Sequence, residues 1–373
     1  MSNFTDIVPW RLKSALRAVL DLPDRRRWQK QRRDVRRADG TEPVLCFGGV
    51  LDDGRLVRGG AVKLLSLQRA FRCDEEKFNI LYLVSSVPPH FAEDLVAECR
   101  RKNIAVVWNQ NGVGYPGWAG GEAERHNAPM RRLRALTDFI VYQSDFCLKS
   151  ANRFLGPVEK PSRVLLNPVD LSKFHPARCA SRPAAPRLLA MGTHAYRDRV
   201  FAAIDTLHAL RREGMPATLT VAGSLQWRRG KEETLDYLRE LGVSDAVLLQ
   251  PAFDQEEAPH LYRAHDILVH PKYLDPCPTV VAEALACGLP VVGSATGGLP
   301  EMTDAACARL LPLPLVWDRM LTPPVGQLAA AVVDLWGNIE AASIAARARA
   351  ERKFEAAAWT GAHREIFRSL LSR

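Results

Sequence analysis

Residues 270–301 read HPKYLDPCPTVVAEALACGLPVVGSATGGLPE. Asp275 stands eight positions before Glu283, and Pro278 opens an apolar run between them. Proline suits a first helical turn, where its missing N–H has no intrahelical partner to lose. The turn it opens leaves backbone N–H groups free to meet an anion. The two carboxylates can accept hydrogen bonds from hydroxyls. Gly288-Leu-Pro-Val-Val then reads as a turn into a short buried strand, and Gly297-Gly298 as a second turn leading to Pro300 and Glu301. Acid pairs at this spacing also occur on ordinary helices, and Gly-Leu-Pro-Val-Val alone fits any buried strand. The whole string is more specific. It describes a site for a ligand that is both polyhydroxylated and anionic, as a nucleotide sugar is.

Outward from this stretch, strands alternate with helices. Pro43–Phe47, Phe78–Ser86, Ile104–Asn109, Asp138–Gln143 and Arg163–Leu166 read as short apolar strands. Helices are expected over Ala61–Phe71 and Phe91–Asn103. After an Ala- and Pro-rich linker at 177–186 the alternation resumes. Strands are expected at Arg187–Met191, Ala217–Ala222, Val247–Gln250, Ile267–His270 and Pro290–Val292, with helices over Val200–Arg212, 324–353 and 360–371. Such alternation predicts parallel sheets with crossover helices. The expected fold is α/β, two Rossmann-like domains with parallel sheets facing across a cleft. Ligands in such sheets bind beyond the carboxyl ends of the strands. The divisions are a basic extension at 1–40, an N-terminal domain at 41–176 and a C-terminal domain at 186–358.

The string Asp275, Pro278, Glu283-Ala-Leu-Ala, Gly288-Leu-Pro-Val-Val and Gly297-Gly298-Leu-Pro-Glu301 resembles the E-x7-E region of family 4 retaining glycosyltransferases. These have the GT-B fold. Asp275 stands in place of the usual first Glu. Ser144, Asn167-Pro-Val-Asp170, Phe174 and Pro176 resemble the family's interdomain segment, and Phe354 and Trp359 its closing helix. The resemblance implies that 360–373 packs back on the N-terminal domain. It is strong from 187 onward, looser over 43–186, and does not reach residues 1–40.

The family roles of the matching positions assign Glu283 to the ribose hydroxyls and Asp275 to hydroxyls of the transferred sugar. Backbone N–H groups near Cys277, Pro278, Thr279 and Val280 are expected at the diphosphate, with Gly298 permitting close approach. Cys277 has a plainer reading as a small space-filling residue, and Asp275 as a helix N-cap. Arg197 and Arg199, following Gly192, stand where the family places phosphate-binding cations to meet the charge of the leaving diphosphate. Gly59-Gly60 resembles the glycine loop facing the diphosphate from the N-terminal domain, with Arg58 and Lys63 flanking it as acceptor or phosphate contacts. Asn111 takes the acceptor-side place where many relatives carry histidine. An amide orients a hydroxyl but is no base at neutral pH. That fits a mechanism in which the departing phosphate oxygen takes the acceptor proton on the same face. His126 and His90 remain without a role. Glu301 reads as a helix-entry residue organising its turn. Asp52-Asp53 reads as turn rather than metal ligand, so no metal and no cofactor are expected beyond the nucleotide-sugar co-substrate.

Composition bounds the rest. The 373 residues suit two α/β domains, and 47% hydrophobic content is ample for their cores. No run approaches the ~18–20 apolar residues of a spanning helix, and no signal peptide opens the chain. The eight cysteines are scattered without a C-x-x-C pair, which points to a reducing cytoplasm. The net charge is +9, and residues 1–40 hold eleven Lys and Arg against five Asp. In that arm Leu12, Leu16, Val19 and Leu20 share a helical face opposite Arg11, Lys13 and Arg17, the pattern of a helix lying in a membrane interface. Residues 25–33 would add about 1 kcal/mol per charge near an anionic leaflet. A solvated arm is the plain alternative, and nucleic acid is disfavoured because the arm holds no recognisable binding module. The expected partners are a nucleoside-diphosphate sugar, a glycan or lipid-linked acceptor, and an anionic membrane surface at the inner face of the plasma membrane. The expected activity is sugar transfer in surface polysaccharide or lipopolysaccharide synthesis. Its rivals are another GT-B enzyme, such as a nucleotide-sugar epimerase or a phosphorylase, and a catalytically silent scaffold that binds glycan or lipid.

Overall fold

The computed structural model describes residues 34–49, 62–177, 183–251, 253 and 256–372. It contains two six-stranded sheets in which every strand pair is parallel. The N-terminal sheet runs, edge to edge, Arg72–Cys73, Val44–Cys46, Ile80–Val84, Ala105–Gln110, Phe139–Tyr142 and Ser162–Val164. The C-terminal sheet runs Val247–Gln250, Thr218–Ala222, Arg187–Met191, Ile267–His270, Val291–Ser294 and Ala308–Leu311. Central strands such as Ile80–Val84 and Ile267–His270 are buried along their whole length. Helices cover both faces, so apolar residues run continuously rather than alternating.

In the C-terminal sheet the first strand in chain order, Arg187–Met191, sits beside the fourth, Ile267–His270, with Leu188 opposite Ile267. The strand order is therefore 3-2-1-4-5-6, and the chain leaves this central pair in opposite directions. A crevice opens above their carboxyl ends, where doubly wound sheets bind ligands. The chain crosses that crevice at Gly192-Thr193-His194 and again at Pro271–Pro278.

The single helix expected over 324–353 is two helices, Val325–Gly337 and Ile339–Lys353, bent by 94°. The break at Gly337-Asn338 lets one segment cover two surfaces. Leu328, Val332 and Leu335 pack with the helix Arg197–Arg212, whereas Ala346, Ala350 and Phe354 pack with the helix Thr279–Ala286. The last helix starts earlier than expected, at Ala356, and runs to Leu371. Its Trp359, Ile366, Phe367 and Leu370 enter the N-terminal core with Leu45, Leu67 and Tyr82. The last helix thus packs on the N-terminal domain. Helices Ala123–Leu136 and Asp145–Leu155 were not expected from sequence.

Among the contacts across the seam between the domains, three stand out. The Glu301 carboxylate accepts the N–H groups of Asp145 at 2.7 Å and Phe146 at 2.8 Å, capping the helix Asp145–Leu155 from the other domain. Glu301 therefore does more than organise its own turn. The Ser144 hydroxyl donates to the Pro276 carbonyl at 2.7 Å. The loop at 312–322 carries Trp317 into an aromatic socket of the N-terminal domain, stacked on Phe146 at 5.6 Å and edge-on to Tyr115 and Phe154. Among the described residues no single helix is long and apolar enough to cross a membrane. Residues 1–33 of the basic extension at 1–40 lie outside the described residues.

Candidate functional site

Gly192 leaves the strand Arg187–Met191 with φ +123°, a conformation that favours glycine. A Cβ there would meet the Arg199 guanidinium at 3.3 Å and Val280 at 3.6 Å. The glycine turn, Arg199 and the first turn of the helix Thr279–Ala286 therefore converge. The half-buried Arg199 donates to the Met191 carbonyl at 2.9 Å. Burial pulls its pKa down to about 10, with Asp275 opposing the shift, so it stays a cation at neutral pH.

Arg197 does not join it. The helix Arg197–Arg212 begins at this residue, and positions two apart on a helix face about 200° from one another. With Arg199 turned toward Gly192, Arg197 points outward, where it pairs with Glu233 at 2.6 Å and lies over the Phe201 ring. Sequence reasoning treated the two arginines alike, and the structure separates them.

Asp275 is 6% exposed and lies on the loop after the strand Ile267–His270. Its Oδ2 accepts from Lys272 Nζ at 2.9 Å and from His270 Nε2 at 3.1 Å. Burial works against ionisation, but Lys272 and His270 outweigh it and hold the carboxyl well below the usual carboxylate range. Asp275 is thus an anion at every physiological pH. It does not cap the helix that follows, whose N-cap is Pro278 with no side-chain bond. Sequence reasoning missed Lys272 and His270. Their place in His270-Pro-Lys272-Tyr-Leu-Asp275, close before the acid, was the only signal.

The two glycines after the strand Val291–Ser294 hold this loop in place. A Cβ on Gly297 would fall 2.2 Å from the Asp275 carbonyl oxygen, and one on Gly298 would fall 2.2 Å from that of Pro276. The Gly298 N–H donates to the Asp275 carbonyl at 2.8 Å. The close approach that Gly298 permits is to the chain's own backbone. Leu274, at φ +49°, completes the turn that aims the acid.

Glu283 is the one charged residue of the helix Thr279–Ala286 and is 5% exposed. Its Oε2 accepts the Tyr262 hydroxyl at 2.8 Å. It is turned inward, not toward bulk solvent. At the start of the same helix Cys277 and Pro278 are buried, while Thr279 and Val280 are half-buried. The Cys277 carbonyl accepts from Asn167 Nδ2 at 2.9 Å, and burial raises its thiol far above the ordinary value. Cys277 is therefore a packed seam residue rather than a nucleophile.

From the N-terminal domain, Asn111 reaches the same seam. A Cβ on its neighbour Gly112 would meet Pro276 at 3.2 Å. Asn111 Nδ2 donates to Ser86 at 2.7 Å, and its Oδ1 accepts from both Lys63 and Gln143. Gly59 and Gly60 lie outside the described residues. His126 and His90 are exposed, and His126 packs against the Trp118 ring. His194 is buried, with Nδ1 unpartnered among the described residues, and burial holds it strongly neutral.

A cavity of about 120 Å³ opens beside Arg199 and Lys272, lined also by Thr193, Tyr196 and Tyr273. A cavity of about 680 Å³ lies instead against the edge strand Ala308–Leu311, where Asp304, Arg309 and Asp334 line it. The chemistry follows the smaller one. Its lining supplies two cations, Arg199 and Lys272, and Lys272 ties it to the buried Asp275 carboxylate.

Residues 175–311 match the family model of glycosyl transferases group 1. Glycogen synthase of Mycobacterium tuberculosis is 29% identical over 250 residues, 64% of this chain and 55% of that protein. D-inositol 3-phosphate glycosyltransferase of Salinispora arenicola is 33% identical over 186 residues, 43% of this chain and 42% of that protein. The chain thus spans about half the length of these curated relatives or less. Sucrose-phosphate synthase from Thermosynechococcus elongatus superposes with a TM-score of 0.64 at 19% identity, covering 84% of this chain and 77% of that one. Anabaena Alr3699/HepE, solved in complex with UDP and glucose, does so with 0.65 at 14% identity, covering 84% and 90%. The chain has the GT-B fold, and its residues 175–311 match the glycosyl transferases group 1 model within it.

Proposed function

We propose that this chain is a retaining glycosyltransferase that moves a sugar from a nucleoside-diphosphate sugar to a glycan or lipid-linked acceptor. The observation that carries the reading is Asp275, an anion fixed at the sheet's switch point by Lys272 and His270. A buried carboxylate with spare lone pairs accepts sugar hydroxyls, each charge-assisted bond contributing about 1.5–3 kcal/mol. Arg199, Lys272 and the first turn of the helix Thr279–Ala286 supply positive potential for a departing diphosphate. Glu283 serves the ribose. The UDP and UDP-glucose complexes of Anabaena HepE support a nucleotide-sugar donor.

What faces the acceptor supports the retaining reading. Asn111 is an amide, so the acceptor proton has no side-chain base there. The departing phosphate oxygen takes that proton, and the new bond forms on the face the leaving group vacates. Cations of the chain meet the developing charge, and the reaction needs no metal. Assembly of a bacterial surface polysaccharide or lipopolysaccharide at the inner membrane face is the setting that suits this chemistry.

The test is turnover. Purified protein, incubated with a panel of nucleotide sugars and glycan or lipid-linked acceptors, should release nucleoside diphosphate and form an α-linked product from an α-donor. Binding of nucleotide with no release over the whole panel would favour the silent scaffold. A β-linked product would end the retaining assignment alone.

A further inference from the structure

Lys63 lies on the helix Val62–Ala70 and is 5% exposed. Its ammonium donates to Asn109 Oδ1 at 2.7 Å and Asn111 Oδ1 at 3.2 Å. An ammonium has three N–H groups. Among the described residues the third finds no acceptor, and no carboxylate pairs with the charge. A buried cation held only by amides is costly unless an anion completes its shell.

The surroundings say where that anion would sit. Asn111, whose Oδ1 accepts from Lys63, is followed by Gly112, where a Cβ would meet Pro276 at 3.2 Å. Lys63 thus faces the seam where the Asp275 loop enters the helix Thr279–Ala286. Behind it, Asn109 Nδ2 donates to the Tyr82 hydroxyl at 2.9 Å, and Tyr82 bonds His363 of the closing helix at 3.0 Å. The Asn109 amide beneath Lys63 is therefore tied through Tyr82 to the closing helix.

We propose that Lys63 is a ligand of the donor diphosphate, adding from the N-terminal domain a cation to match Arg199 in the other. This rests on the nucleotide-sugar reading above. The groups around Lys63 leave it as the titrating member. Burial holds Cys147 and Cys277 as thiols, Tyr82 as phenol and His363 neutral, the last with its pKa pulled down to about 3. Burial pulls Lys63 itself down to about 7. Above that pH the empty site holds a neutral amine, and an incoming diphosphate draws a proton onto it.

Isothermal titration on the full chain tests this, with Lys63→Met and Lys63→Arg beside the wild type. The probes are whichever of UDP, ADP and GDP stabilises the wild type most in a thermal-shift screen, and its parent nucleoside. Lys63→Met should weaken the diphosphate roughly tenfold to a hundredfold and leave the nucleoside unchanged. Lys63→Arg should recover part of the loss. At pH 8, titrations in buffers of different ionisation enthalpy should show proton uptake on binding by the wild type, and less of it in Lys63→Met. Equal diphosphate affinity and equal proton uptake in Lys63→Met would overturn the assignment while leaving the donor reading intact. Parallel loss of nucleoside and diphosphate would also overturn it, as the mark of a merely structural lysine. No binding of any diphosphate by the wild type would sink the donor reading and this ligand together.

Discussion

Lys272 and Asp275 form a 2.9 Å ion pair in which the carboxylate is buried and the ammonium is partly open to solvent. The pair keeps a charge at the floor of the crevice where a hydroxyl-rich ligand can use it. Asp275→Asn keeps the size and removes the anion. We expect donor turnover to fall about a hundredfold or more, as for the loss of one preorganised electrostatic contact. Nucleoside diphosphate affinity should change little, because the contact proposed for Asp275 is with the sugar. A variant that keeps turnover would remove Asp275 from the chemistry.

The same pair predicts a pH dependence of stability. The folded-state carboxyl of Asp275 lies below the value it takes in the unfolded chain. A depressed carboxylate stabilises the fold at pH above the unfolded value, and that contribution is lost as pH falls through the folded one. Thermal unfolding of the wild type should therefore lose more stability between about pH 5 and pH 2 than that of Asp275→Asn. Parallel curves would mean the pair contributes nothing to the fold.

The two arginines should part company. Arg199→Ala removes the cation beside Gly192 and should cost about a hundredfold in kcat/KM. Arg197→Ala breaks an exposed pair with Glu233 and should change kcat/KM less than about threefold, since exposed ion pairs contribute little. Equal losses in the two variants would contradict the placement described for them.

Glu301 tests the seam. Its carboxylate caps a helix in the opposite domain, so Glu301→Ala should cost on the order of 1 kcal/mol, a fall of a few degrees in Tm. It should also raise KM, because the N-terminal face is no longer held against the Asp275 loop. An unchanged Tm would show that the cap is not a stabilising contact.

Two expectations outside the described site have simple checks. Turnover should survive prolonged EDTA treatment, and full loss that magnesium restores would contradict a reaction run on protein cations alone. Vesicles containing anionic lipid should float the full chain but not a chain lacking residues 1–40. Equal recovery of both in the unbound fraction would end the membrane role of the arm.

Much of this was legible in residue order, for physical reasons. The alternation of apolar strands and amphipathic helices marked both sheets, because the period of burial is local. Asp275, Glu283 and the glycine turns stood out because they lie within 32 consecutive residues that fold as one strand–helix–strand unit. What escaped depends on angles and on distant partners. Arg197 and Arg199 look equivalent until the first residue of their helix is known. Lys272 reaches Asp275 because the loop turns at Leu274 with positive φ. Glu301 looked like a local turn residue because its partners, Asp145 and Phe146, lie more than 150 positions away. The break at Gly337-Asn338 was hidden by the helix-forming alanines on either side of it.

The most direct measurement is a crystal structure of the full chain with the nucleoside diphosphate that stabilises it most. The account predicts phosphate density within hydrogen-bonding distance of the Arg199 guanidinium and of the backbone at Thr279 and Val280, with ribose hydroxyls at Glu283. A diphosphate lodged elsewhere, such as the basic cavity lined by Arg163, Arg352 and Lys353, with the crevice above Gly192 empty, would contradict it.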